Sequence, residues 1–190
     1  MTYTLTTAAT EEPVTLDEAK AHLRIDHDDE DDHIAALITA ARQWAEMYTR
    51  RQFVSATYTL YLDWFPGEIV VPRPPLISVT SISYLDTAGA SQTLATSVYA
   101  VDAVALPGRI RLKFNESWPG TRTIENAVTV VYIAGYGAAT AVPETVKAAL
   151  KLLVAHLYEN REPYIVGTSV SALPMAAKSL LSAERVMEFS

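Results

Sequence analysis

The sequence predicts an α+β fold: a helical bundle of about four helices, two N-terminal and two C-terminal, with a central, mainly antiparallel β insertion. Three observations carry this. Apolar residues recur at three- and four-residue spacing before Arg51 and again after Pro143. Between them, from about Ser55 to Ala134, short runs rich in Val, Ile, Thr and Tyr alternate with turn residues. The chain has 190 residues and is 49% hydrophobic, enough for a single domain 1–190 with a real core.

The first helical part is read as residues 13–51. Thr15 followed three residues later by Glu18 matches a capping box, so a short helix should run from Leu16 to about Arg24. The next helix opens in the acidic stretch Asp28, Asp29, Glu30, Asp31, Asp32, where carboxylates meet the positive end of the helix dipole. Its apolar stripe is Ile34, Leu37, Ile38, Ala41, Ala45 and Tyr48. Arg42, Glu46 and Arg50 stand four apart and are placed on the opposite, surface side, with Arg50 and Arg51 closing the negative dipole end.

The insertion, 55–134, has its clearest strands at Thr57 to Leu62 and Asn126 to Ile133. Shorter ones are expected at Ile69 to Val71, Ile77 to Tyr84, Val98 to Val101 and Arg109 to Phe114. Pro72, Pro74 and Pro75 exclude a central strand and mark an edge or crossing segment. Turns are signalled at Pro66-Gly67, Asp86 to Gly89, Pro107-Gly108 and Pro119-Gly120, which together predict one small sheet.

A core helix over 143–161 begins at Pro143, whose missing N–H would be unpaired at a helix start anyway. Val146, Ala149, Leu150, Leu153, Val154, Leu157 and Tyr158 give it the strongest helical periodicity in the chain. A flexible connector over 162–174 and a last helix over 175–188 complete the reading.

Composition narrows function. With 15 Lys plus Arg against 22 Asp plus Glu, the net charge is −7, which disfavours free-standing binding to nucleic acid or anionic lipid. The absence of cysteine removes disulfides, thiolate metal sites and a Cys nucleophile. No secretory signal is visible at Met1 to Thr10, and no apolar run approaches the roughly 20 residues needed to span a bilayer.

Chemical motifs were tested against plainer readings. Set on a calcium-loop template from Asp26, the acidic run puts Asp31 where Gly is required and Leu37 where the bidentate Glu should stand. His22, His27, His33 and His156 form no HExxH pattern, although Glu18 and His22 share a helix face. Gly167 to Ser171 lacks the last Gly of a nucleophile elbow, and Gly135-Tyr136-Gly137 continues into neither a dinucleotide fingerprint nor a phosphate loop. No catalytic residue, metal ligand or cofactor is therefore assigned, and assembly becomes the leading class. Two alternatives stay open within the insertion. One is a small hydrolase using Asp63, Asp86, Asp102 or Glu116. The other is a ligand-binding module with an aromatic patch at Tyr58, Tyr61 and Trp64.

The segment Pro13-Val14-Thr15-Leu16-Asp17-Glu18-Ala19-Lys20-Ala21-His22-Leu23-Arg24, its Asp-rich sequel and the helix end Tyr48-Thr49-Arg50-Arg51 resemble the opening of tailed-phage head-tail connector proteins. Val71-Pro72-Arg73-Pro74-Pro75-Leu76, Ala134-Gly135-Tyr136-Gly137, Val142-Pro143 with His156 to Glu162, and Leu173-Pro174-Met175 extend the likeness from Pro13 to about Val186. Relatives of such proteins occur in prophages and gene-transfer particles. The resemblance implies a non-enzymatic adaptor of the virion, assembled in the bacterial host cytoplasm as a ring of about a dozen copies under the portal protein. Such a ring extends the channel through which packaged DNA passes and meets a stopper or tail component, without contact with a membrane. On this reading Leu180, Leu181, Arg185, Val186 and Met187 of the last helix engage the portal or a neighbouring subunit. The same apolar residues would alternatively pack on the third helix of their own chain. Arg42, Glu46, Arg50 and Arg51 are the candidates for ion pairs between subunits.

Overall fold

Secondary structure begins earlier than the sequence suggests, with a strand β1 at Thr2–Thr7. A computed structural model of the chain describes residues 1–160 and 174–186. The other elements are α1 (Leu16–Leu23), α2 (Asp31–Thr49), β2 (Ala56–Leu62), β3 (Ile69–Val71), β4 (Leu76–Leu85), β5 (Ser91–Thr93), β6 (Tyr99–Asp102), β7 (Gly108–Leu112), β8 (Val128–Ala134), α3 (Glu144–Glu159) and α4 (Met175–Ser182). They fall into two compact units, a sheet unit of Met1–Thr10 with Val54–Gly137 and a bundle unit of Glu11–Phe53 with Ala138–Ser190.

In the bundle unit the capping box forms as expected. The Thr15 hydroxyl accepts from the Glu18 N–H at 3.2 Å, and the Glu18 carboxylate accepts from the Thr15 N–H at 2.9 Å. Two of the four orphan donors of α1 are thereby satisfied. Helix α1 ends on Arg24 in the left-handed conformation. Lys20 then reaches across the following loop to Asp28 (2.5 Å) and Asp31 (2.7 Å), which holds its ammonium above the usual lysine range and Asp28 below the usual carboxylate range. Ile34, Ile38, Ala41 and Ala45 of α2 are buried, and so are Val146, Ala149, Leu150, Leu153 and Val154 of α3. Each Val, Leu or Ile among them contributes about 1.5–3 kcal/mol on leaving water, and each Ala less. Pro143 stands one position ahead of α3, at its N-cap.

The sheet unit holds two antiparallel sheets where one was expected. Five strands run in the order β1-β2-β8-β4-β5, and three in the order β3-β7-β6. Alternation marks which strands exist but not which pair, so the division was not readable from the pattern. The proline segment carries the chain from β3 in the small sheet to β4 in the large one, the crossing role anticipated for it. The shared core is formed by Leu60, Leu62, Ile69, Val71, Ile82, Ile110, Val128, Val130 and Tyr132. Gly135, just beyond β8, has φ +126°, and a Cβ there would lie 2.9 Å from the backbone of Val54 and Ser55. Only glycine fits that close approach.

Candidate assembly surfaces

The charged residues assigned to subunit contacts are, in large part, internal. Glu46 is buried, not on the surface side of α2: one carboxylate oxygen accepts from Gln52 Nε2 (2.9 Å) and the Phe53 N–H (3.1 Å), and the other from Arg42 (3.0 Å). Arg42 in turn binds Glu12 through Nε (2.6 Å) and Nη2 (3.2 Å), and Glu12 also accepts from the Thr39 hydroxyl (2.9 Å). Burial would lower the Arg42 pKa, but hydrogen bonds and charge from Glu12 and Glu46 outweigh it, so the guanidinium is held above its ordinary value. The surface placement of this pair is thus corrected. Four-residue spacing of opposite charges reads as a solvated face, and the partners that bury it, Glu12 and Gln52, stand outside the helix. Arg51 donates to the Glu184 carbonyl and lies 3.6 Å from its carboxylate, whereas Arg50, the left-handed cap of α2, is exposed.

The last helix, α4, packs within its own unit. Leu181 and Ala177 are fully buried, and Leu180 is half-buried. Beyond the helix the Val186 N–H donates to the Thr49 carbonyl (3.0 Å), and the exposed Arg185 guanidinium sits 5.4 Å from the centre of the Tyr48 ring. Leu181 is therefore a core residue of its own chain and is withdrawn from the docking surface. Met187 and the connector 162–173 lie outside the described residues.

The carboxylates of the enzymatic alternative do not converge. Asp86 closes the β4–β5 turn, accepting from the Gln92 side chain (2.9 Å) and the backbone of Ala90 (2.9 Å) and Ala88 (3.0 Å), and these bonds hold it below the usual carboxylate range. Asp102 closes the β6–β7 turn through Val104 (3.1 Å) and Ala105 (3.1 Å). Asp63 accepts from the Asn126 N–H (2.8 Å), and Glu116 is exposed on a loop. Of the aromatic patch, Tyr58 is buried between Tyr3 and Tyr132, Tyr61 is half-buried and Trp64 alone is exposed. Among the described residues no three His, Asp or Glu side chains are grouped to hold a metal ion, and no helix is long and apolar enough to cross a membrane.

Sequence reasoning named Trp64 only as part of an aromatic patch and missed the other exposed apolar groups of the sheet unit, Val104 above all. Trp64 is 66% exposed at an open apolar cleft of about 250 Å³, and Val104 is 93% exposed at the tip of the β6–β7 turn. Local turn chemistry was legible there, but exposure depends on what packs above a residue, which no periodicity reports.

A bundle with an antiparallel insertion whose candidate carboxylates serve turns, and whose sheet unit exposes Trp64 and Val104, fits an assembly subunit better than a catalytic one. Residues 13–105 match the model of the phage gp6-like head-tail connector proteins, so this stretch of the chain is similar to that family. Over all of its length the chain is similar to a chain in the neck of an empty gene transfer agent particle computed with C6 symmetry (23% identity, TM-score 0.82, 98% of that chain). It is similar in the same way to a chain in the virion of a native gene transfer agent particle (23%, TM-score 0.83, 98%). A third likeness is to a chain in the neck of the native particle computed with C12 symmetry (24%, TM-score 0.71, 98%). At these identities the likeness is one of fold. No curated protein matches the chain.

Proposed function

We propose that the chain is a structural head-tail connector subunit of a tailed-phage-type particle, acting without a catalytic step as one copy in a ring below the portal. The observation that carries this reading is the family match over residues 13–105. Necks computed with sixfold and twelvefold symmetry around chains of the same fold support the ring, whose copies would meet through heterologous contacts that close by rotation. A stopper or tail component would sit on its far side, and packaged DNA would pass through its channel.

Charge supports the passage of DNA. Of the net −7, the bundle unit carries six, and residues 11–53 alone hold eleven acidic against five basic side chains. A wall of that sign makes no lysine or arginine contact with phosphate, and so lacks the counterion-release term that would make DNA adhere. Multi-angle light scattering of the purified chain across concentration, alone and with its portal, backed by negative-stain images, tests the proposal. A ring or a stable portal complex is expected. A strict monomer that ignores the portal at high concentration overturns it.

A further inference from the structure

The small sheet β3-β7-β6 carries an apolar projection toward one end and an apolar recess toward the other. The projection is the β6–β7 turn. Asp102 fixes it by accepting from the Val104 and Ala105 N–H groups at 3.1 Å each, and it presents Val104 at 93% and Leu106 at 52% exposure. An unsupported aliphatic side chain at the tip of a turn held by its own aspartate is not a solvated loop by composition, since residues 103–108 contain no ionisable group.

The recess is the cleft of about 250 Å³ where the chain enters β3, lined by Leu62, Trp64, Pro66, Ile69 and Val70. The register separates the two features. Val71 pairs with Gly108, next to the projecting turn, whereas Ile69 pairs with Ile110 on the side from which the cleft-lining residues arrive. Val104 and Leu106 are not among the residues that line the cleft of their own chain.

We infer that the β6–β7 turn of one copy seats Val104 and Leu106 in the Trp64 cleft of the next. The occupant is a second copy of this chain. Charge compatibility argues for it. The turn is neutral, and the two carboxylates at the cleft are already engaged inside the chain, Asp63 by the Asn126 N–H and Glu68 by Arg109 and Arg111. Covering the cleft with this turn therefore leaves the Glu68 ion pairs intact and the Asp63 carboxylate with its N–H donor, whereas a basic or acidic insert would compete with those pairs. A projection and a recess at different places on one chain add head to tail, which is the contact a cyclic ring needs. The inference rests on the ring reading above.

The test uses the absence of native cysteine. The full-length chain carrying both Val70→Cys and Val104→Cys is oxidised under whichever condition, alone or with the portal, gives rings of the wild type. A ladder of covalent multimers on a non-reducing gel is expected, and each single-cysteine variant should stop at dimer or below. In parallel, Val104→Asp should abolish rings while its melting temperature stays within about 2 °C of wild type, because the side chain touches solvent and little else. Rings that persist in Val104→Asp, or wild-type rings with no ladder in the double-cysteine chain, overturn this contact and leave the connector reading standing. A wild type that forms no ring in either condition overturns the connector reading itself.

Discussion

The bundle unit and the sheet unit reach stability by different means. The sheet unit is nearly neutral, with six acidic and five basic residues, and its core is a continuous apolar layer between two sheets. The bundle unit is acidic and holds a charged cluster in which half-buried Glu12 and Arg42 join buried Glu46 beside its apolar stripe. A buried ion cluster is a weak source of net stability but a strict one of geometry, because removing one member leaves the others uncompensated. Charge thus fixes the local fit of α2 with its flanking segments, and packing alone fixes the sheets. The tryptophans allow the units to be followed separately, since Trp44 belongs to the bundle unit and Trp64 and Trp118 to the sheet unit.

The comparison breaks first at Leu181. Replacing this fully buried side chain with Asp should cost the bundle unit about 4 kcal/mol, from lost packing and a buried charge, read as early unfolding by Trp44 fluorescence in a Trp64→Phe, Trp118→Phe background. Unchanged melting with lost assembly would instead restore the docking role of that residue. Leu60→Ala should cost the sheet unit about 3 kcal/mol in urea unfolding followed through Trp118. Glu46→Ala should cost about 3 kcal/mol in the Trp44 transition, because Arg42, Gln52 and the Phe53 N–H lose their acceptor. An effect below about 1 kcal/mol would show that the cluster is solvated.

Smaller effects sharpen the contrast. The Tyr132 hydroxyl is buried in the sheet core without a hydrogen-bond partner, and burial, with Tyr58 and Tyr3 nearby, pushes its pKa well up. Tyr132→Phe should therefore raise stability by about 1 kcal/mol in the same urea assay, since an unsatisfied buried group is removed. Asp86 gives the smallest effect. Its folded pKa lies below the ordinary 3.8, so its contribution is present above that value and fades as pH falls through the folded one. Asp86→Asn should melt slightly lower than wild type at pH 7, and the difference should shrink as pH falls below about 4, as measured by circular dichroism.

Local signals in the sequence proved strong where the partners were close in the chain. The Thr15–Glu18 box was legible to the atom, and the stripes of α2 and α3 marked buried faces correctly, because three or four residues of spacing contain the whole interaction. Strand β1 was not legible. Thr2–Thr7 is exposed along its length and takes its order from pairing with β2, fifty or more residues away. Strand β5, three exposed polar residues, has its partner in β4 and no apolar face to announce it. The Arg42–Glu46 pair was recognised as a pair and misplaced, since its burial depends on Glu12, thirty residues distant. The apolar tip at Val104 and the Trp64 cleft carry no local signature, and they are the features on which the assembly argument turns.

The chain passes between its two units three times, after Thr10, after Phe53 and after Gly137. In covalent terms a cut at any one passage leaves the units still joined by the other two. The two units are thus joined by three covalent passages without a crosslink, in a chain that has no cysteine with which to make one.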